Sequence, residues 1–324
     1  MGRIAYVFPG QGSQKLGMAR DIYKNYKPAR AIFKKAYEII EKDKTIDKDI
    51  IELCIKRPPF FKNKKEEKEK KLSYPTNIQP ALFLTCAAFF HALESESKKD
   101  WYAALGHSLG EYPALYAADA FDFEEGFNLV KKRAECMTEC SEGSGMVAIY
   151  GSIINSADIE EICRSTEVNL AIDNNYQQIV IGGYNANLEK ACELAKKKGY
   201  STFRLNIEGS PHTNLMKPAS EKLGKYLKGA NIRMARKPVI ANTSAKGIVD
   251  TSDIRKECEE QLYKPFMFQK CVRTAIENGA DTFVEIGPGS VVSGIIKRIN
   301  PNVKRYNVED EKSLEKTLKE LSRD

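Results

Sequence analysis

Histidine is scarce in this chain of 324 residues: there are three, at positions 91, 107 and 212. Any mechanism that uses an imidazole base must draw on one of them. Eight cysteines stand at 54, 86, 136, 140, 163, 192, 258 and 271, and no two are spaced as Cys-x-x-Cys. Most fall in apolar, helical-looking stretches, which argues for reduced thiols and against a metal site or a disulfide framework. No apolar run approaches the roughly 20 residues of a membrane span. The opening residues, Met1 to Pro9, meet Gly and Pro too early for a secretory signal. Tyr6 also stands where N-myristoylation asks for Ser or Thr. The expectation is a cytoplasmic protein with no metal and no membrane association.

What is present is an ordinary globular composition, 42% hydrophobic and 29% charged. The length suits one large domain with a smaller companion. The net charge of +7 is partly local: Lys62, Lys64, Lys65, Lys68, Lys70 and Lys71 cluster around Glu66, Glu67 and Glu69. Taken alone, segment 62–71 reads as a solvated loop or frayed helix. Its functional alternative is a landing patch that steers an acidic partner by long-range attraction. A nucleic-acid partner finds no support, because neither aromatic interleaving nor a recognised binding motif accompanies the lysines.

Hydrophobic periodicity predicts a first strand at 3–8, a helix over 19–40, an apolar helix over 79–93 and a buried strand at 101–105. Helices follow at 109–120 and 123–140; in the second, Phe127, Val130 and Ala134 share a face that Lys131, Lys132 and Arg133 interrupt. The rhythm then changes at 141–145 to βαββαβ: strand 146–150, helix 157–164, strands 168–172 and 179–181, helix 186–198 and strand 201–205. That order is ferredoxin-like. Strand–helix units resume afterwards, with strands at 238–241 and 282–286 and a helix at 291–299, so the small unit reads as an insertion. Residues 309–324 read as a charged helix or tail. The predicted fold is α/β: a large hydrolase-like domain with a parallel central sheet, from 1–142 and 206–324, and a small ferredoxin-like (α+β) domain from 143–205.

Gly106-His107-Ser108-Leu109-Gly110 follows the buried strand and opens a helix. A Gly-x-Ser-x-Gly turn in that setting is a nucleophile elbow, with an exposed serine hydroxyl and the next backbone N–H aimed at a developing oxyanion. The same pentapeptide also fits a plain glycine-rich turn. A serine nucleophile needs a base within hydrogen-bond reach. His107 lies inside the elbow, its ring directed away from the serine proton, and His91 sits in the apolar helix as a structural histidine. His212 remains, on the turn-rich loop 208–216 directly after the last strand of the small domain. Elimination nominates Ser108 with His212, against the alternative that His212 is merely exposed.

Several motifs in one order now carry a resemblance. Phe8-Pro9-Gly10-Gln11-Gly12-Ser13-Gln14 comes first, then Thr76-Asn77-Ile78-Gln79-Pro80-Ala81 and the elbow run 106–112. Arg133, the His212 loop, Asn242, Gln261-Leu262-Tyr263-Lys264-Pro265 and Glu285-Ile286-Gly287-Pro288-Gly289 follow. With the inserted small domain in place, the chain resembles the malonyl-CoA:acyl carrier protein transacylases, the acyltransferases of fatty acid and polyketide synthesis, over nearly its whole length.

The resemblance implies that Ser108 holds a malonyl ester and His212 is its base, in a ping-pong exchange between a CoA thioester and acyl carrier protein. It implies an oxyanion hole from the backbone N–H groups of Gln11 and Leu109, and a grip by Arg133 on the malonyl carboxylate. It further implies that the Gln261 carbonyl orients His212, that Gln79 and Asn174 line or buttress the site, and that the protein is a monomer with no cofactor. Without the resemblance, Arg133 reads as a solvent-facing helix residue.

Two departures stand out: Pro211 precedes the histidine where the family usually carries Ser or Phe, at a position tied to acyl selectivity, and Pro113 lies early in the elbow helix. The rival functions are an acyl hydrolase of the same fold, a polyketide acyltransferase acting in trans, and a non-catalytic binding module.

Overall fold

The computed structural model describes residues 2–323. Its larger sheet has six strands: β1 (Arg3–Phe8), β2 (Ala103–Gly106), β7 (Val239–Ile240), β8 (Gly247–Ile248), β9 (Ala280–Ile286) and β10 (Lys304–Val308). They lie in the order β10-β9-β1-β2-β7-β8, parallel throughout except for the β7–β8 hairpin at one edge. β1 is central and buried from Ile4 onward. A run of apolar residues with no alternation is what a parallel strand covered by helices on both faces requires.

The smaller sheet contains β3 (Ser144–Tyr150), β4 (Asn169–Asn175), β5 (Gln178–Tyr184) and β6 (Ser201–Arg204), in the antiparallel order β4-β5-β3-β6. Helices Ser156–Thr166 and Asn185–Lys197 supply the two α elements of the βαββαβ unit. In β3 the two-residue alternation divides the labour. Val147 and Ile149 pack with Ile162 and Leu188 beneath the unit's helices, while Met146 and Ala148 face Phe266 and Phe268 of the larger unit. A single bridge, Ile172 to Phe266, ties β4 to the large unit's chain.

Several expectations about local structure need correction. The helix read over 19–40 is two helices, Arg20–Asn25 and Lys27–Lys42, and Pro28 stands in the first turn of the second. Of the two readings of segment 62–71, loop or frayed helix, the structure shows a solvent-exposed helix, Lys62–Ser73, with Lys62–Glu66 and Lys65–Glu69 pairs at i,i+4. β10 was not expected: its outward residues are polar, so Lys304–Val308 carries no clear strand pattern. Pro113 falls in the first turn of helix Glu111–Ala117, where backbone N–H groups lack intrahelical acceptors in any case. Among the described residues no helix is long and apolar enough to cross a membrane.

Candidate active site

β2 ends at Gly106, and the chain turns at once into a short 3-10 turn, Ser108–Gly110. A Cβ on Gly106 would lie 1.9 Å from the Gly110 carbonyl carbon, so no other residue closes this turn. Ser108 sits at φ 54°, the left-handed region that a side chain enters at a cost of about 1–2 kcal/mol. Asn242, just after β7, holds it there. Its Oδ1 accepts from the Ser108 N–H at 3.1 Å, and its Nδ2 donates to the Gly106 carbonyl at 3.0 Å. The elbow is therefore strained, and a neighbouring strand end fixes the strain in place.

His212 is buried, also at positive φ, with Nε2 at 2.7 Å from Ser108 Oγ. Its Nδ1 lies 2.7 Å from the Gln261 carbonyl oxygen. A carbonyl only accepts, so the network assigns the ring proton to Nδ1 and leaves the Nε2 lone pair facing the serine hydroxyl. The His212 N–H also donates to the Leu262 carbonyl at 2.7 Å, so residues 261 and 262 grip both backbone and ring. Burial, and then the Arg133 cation, push the imidazole pKa down to about 3. At neutral pH the ring is therefore uncharged, with the Nε2 lone pair open to a proton.

Arg133 is where bare sequence reading and structure part. Far from facing solvent, it is 2% exposed. Its guanidinium donates to Gln79 Oε1 at 2.7 Å and to Gln261 Oε1 at 3.1 Å, while Nε has no hydrogen-bond partner among the described residues. Among the described residues no carboxylate forms an ion pair with it. A buried cation held by two neutral amides is costly unless an anion joins it. The next-but-one residue, Lys131, is buried too, but it is paired with Asp43 and Thr45.

Gln261 joins these parts. Its carbonyl receives His212, and its Oε1 receives Arg133. Its Nε2 donates to the Ser108 carbonyl at 2.9 Å and to Glu111 Oε2 at 2.5 Å. Glu111, one turn past the nucleophile, also accepts from the Asn242 N–H through Oε1 at 2.8 Å. Burial first, then neighbouring Glu257, raise the Glu111 carboxyl well above the usual range, against the pull of its N–H donors and Arg133. Sequence reading named no role for Glu111 or Asn242. Both lay within quoted motifs, and their signal was polarity at positions that the fold had to bury.

The remaining residues take distinct places. Asn174 Oδ1 meets His107 Nε2 at 2.8 Å, which ties Asn174 to the elbow through His107. The His107 ring packs edge-on against Phe266 and Phe268, turned away from the serine. Gln79 touches Arg133 and Met137 Sδ. Gln11 lies on the loop leaving β1, and a Cβ on the preceding Gly10 would approach the His107 carbonyl to 2.2 Å, so this loop lies directly against the elbow that carries Leu109. Pro211 is buried next to His212. His91 bonds the Tyr116 hydroxyl at 2.6 Å, a structural contact.

Comparison with known proteins places this geometry. The family described as "Acyl transferase domain" matches residues 5–320. The chain is 37% identical over 335 residues to the malonyl CoA-acyl carrier protein transacylase of Bacillus subtilis (strain 168), covering 99% of this chain and 98% of that one. Among solved structures it resembles the malonyl CoA-acyl carrier protein transacylase of Clostridium perfringens, with a TM-score of 0.89, 34% identity, and 99% and 98% of the two chains covered. It also resembles a malonyl-transacylase solved in complex with a type II PKS acyl-carrier protein, with a TM-score of 0.89, 30% identity, and 98% and 99% covered.

Proposed function

This chain belongs to the acyl transferase domain family, and from that premise we propose that it moves a malonyl group from malonyl-CoA to the pantetheine thiol of acyl carrier protein. The observation that carries the reading is Arg133: a buried guanidinium without a carboxylate partner, in the same hydrogen-bonded network as the Ser108–His212 pair. A site for simple acyl groups has no use for such a cation. A malonyl carboxylate would complete it with a charge-assisted pair.

In the first half-reaction, Ser108 Oγ attacks the thioester carbonyl carbon while His212 Nε2 takes the hydroxyl proton. The oxyanion forms between the N–H groups of Gln11 and Leu109. Collapse breaks the C–S bond, and His212 returns its proton to the departing CoA thiolate. In the second, His212 takes the proton of the carrier's thiol, the sulfur attacks the Ser108 ester, and the serine leaves with that proton. Every step is acyl or proton transfer, which oxyanion donors and one base suffice to catalyse, so no metal or redox cofactor is called for. The acidic carrier meets a chain of net charge +7, which favours its approach. In the helix that carries segment 62–71, Lys64, Lys68 and Lys70 form no ion pair among the described residues and are candidates for that attraction.

The test follows the malonyl group. Incubation with malonyl-CoA yields an ester on the Ser108 peptide, visible by mass spectrometry and absent in Ser108→Ala, and added carrier protein discharges it onto its own thiol. Release of free malonate without transfer would make the protein a hydrolase. No ester at all would make it a binding module.

A further inference from the structure

Asn242 braces the Ser108 turn, and Gln261 orients His212. The register between serine and imidazole is therefore set where the end of β7 meets helix Thr251–Glu260, which Gln261 closes. Glu257 stands at that junction. It is buried, one helical turn before Gln261, whose N–H donates to the Glu257 carbonyl at 2.9 Å. Its carboxylate reaches the residue after Asn242: Oε1 accepts from the Thr243 N–H at 2.9 Å, and Oε2 accepts from the Thr243 hydroxyl. Asn242 and Thr243 thus present consecutive N–H groups to two buried carboxyls from two helices, those of Glu111 and Glu257. Ser244, next along, is exposed, so Thr243 is where this turn passes from the interior to solvent.

A second buried carboxyl beside Glu111 is a costly way to close a turn. Burial raises the Glu257 carboxyl pKa against the pull of its Thr243 donors, and Glu257 in turn helps to raise that of Glu111. An apolar side chain would fill the space without that cost, but it would leave the Thr243 N–H without this acceptor. What the carboxylate supplies is two acceptors on one planar group. Two bonds to one residue fix both the separation and the twist between helix end and strand end, where one bond leaves a swivel. The Asn242 carbonyl accepts from the Met267 N–H at 3.0 Å, a tie to the chain beyond Gln261. The direct tie between Gln261 and Asn242 is long, Nε2 to Oδ1 at 3.3 Å, and that Nε2 is shared with the Ser108 carbonyl and Glu111.

We propose that Glu257 is a positioning residue for the acyl transfer: by clamping Thr243 to the helix that ends at Gln261, it keeps the Asn242-braced Ser108 in line with His212. Glu257 touches no substrate; it acts through Asn242, on the reading that Ser108 and His212 carry the acyl transfer.

Glu257→Met keeps the volume and removes both acceptors. Glu257→Gln keeps one acceptor for the Thr243 N–H and offers an amide N–H to the hydroxyl oxygen. Glu257→Met should lower kcat about 10- to 100-fold for malonyl and acetyl transfer alike, the effect of a displacement of about 1 Å at the reacting atoms. KM should stay within about threefold, because no substrate contact is lost. Glu257→Gln should bring kcat back to within about fivefold of wild type. A fluorophosphonate probe, which carries no carboxylate, should label Ser108 more slowly in Glu257→Met by the same factor as kcat. In an Asn242→Ala background, Glu257→Met should cost less than about threefold more, since the brace it steadies is already gone. Thr243→Val removes one of the two bonds and reads the same contact should Glu257→Met fail to fold; it should lower kcat about three- to tenfold at unchanged KM.

A folded Glu257→Met with kcat within about threefold of wild type would overturn the proposal, as would Thr243→Val at the wild-type rate. So would a loss carried by KM, a Glu257→Gln as slow as Glu257→Met, unchanged labelling by the probe, or full additivity with Asn242→Ala. The probe reads the Ser108–His212 pair without malonate. A wild type that it labels but that takes no malonyl group from malonyl-CoA would therefore sink the malonyl reading alone, and a wild type that it leaves unlabelled would overturn both.

Discussion

Arg133→Ala should turn a malonyl enzyme into a poor but unselective one. The guanidinium is buried, donates to Gln79 and Gln261, and among the described residues has no partner at Nε and no carboxylate in direct ion-pair contact, so the arriving carboxylate would be the first to pair with it directly. Removing one member of a buried, hydrogen-bonded charge pair costs about 2–5 kcal/mol. At 1.36 kcal/mol per decade that is about 30- to 5,000-fold in kcat/KM for malonyl-CoA. Acetyl-CoA has no carboxylate to lose. Its transfer is exposed only to the two amide oxygens that Arg133 leaves behind, and the vacated polar space can admit water to meet them. The assay measures kcat/KM for transfer of labelled malonyl and labelled acetyl groups from CoA to carrier protein, in wild type and variant. The malonyl-to-acetyl ratio should fall by at least about 30-fold. An equal loss for both substrates would refute the reasoning and make Arg133 a structural tie between Gln79 and Gln261.

Burial and the Arg133 cation hold His212 near a pKa of about 3, so kcat/KM should stay level between pH 5 and 7. An imidazole at its ordinary pKa of about 6.5 would instead cost about 30-fold at pH 5. A drop of that size in a pH–rate profile would show that the base is not desolvated. Stability follows the same sign. Folding favours the neutral ring, so this contribution is full above pH 6.5 and is lost as pH falls towards 3, which acid titration of urea midpoints would detect. Glu111→Gln should slow malonyl and acetyl transfer alike, by about 10- to 100-fold in kcat, because an amide there accepts through one atom only and turns a donor towards Gln261 or Asn242. If the malonyl-to-acetyl ratio changed instead, Glu111 would be acting on Arg133 alone.

The legible parts of this protein were those with short-range patterns. The elbow glycines, the βαββαβ rhythm and the apolar run of β1 state local geometry directly, and each element falls close to its expected position. Arg133 was readable only through resemblance. In its own helix it interrupts the apolar face, as does Lys132, and Lys132 remains partly exposed in an ion pair with Glu135 while Arg133 is buried. Nothing local separates the two, because the difference lies in Gln79 and Gln261, 54 residues before and 128 after. Asn242 and Glu111 escaped for the same reason. Each is explained by partners that only the parallel sheet brings alongside, as β7 joins β2. At 62–71 high polarity left loop and frayed helix undivided, and the helix that forms is braced by its own i,i+4 pairs.

The lack of an acidic partner for His212 follows from what else the site must hold. A carboxylate at Nδ1 would orient the ring as well as the Gln261 carbonyl does, and would stabilise the imidazolium. It would also stand in the same buried region as Arg133, whose charge already bears on His212. In a low-dielectric interior the two would pair, and the guanidinium would then be spent before malonate arrived. An amide avoids this. Gln261 gives His212 a carbonyl and Arg133 a side-chain oxygen, both neutral, so the base is oriented without filling the anion site. Glu111, the acid that joins this network, is held one step back, its oxygens taken up by the Asn242 N–H and by Gln261 Nε2. Gln261 Nε2 is thereby turned to Glu111, and its Oε1 can only face Arg133. One glutamine so fixes the tautomer of His212, the aim of the Arg133 guanidinium and, through the Ser108 carbonyl, the strained turn of Ser108, which is what the proposed base, clamp and nucleophile require.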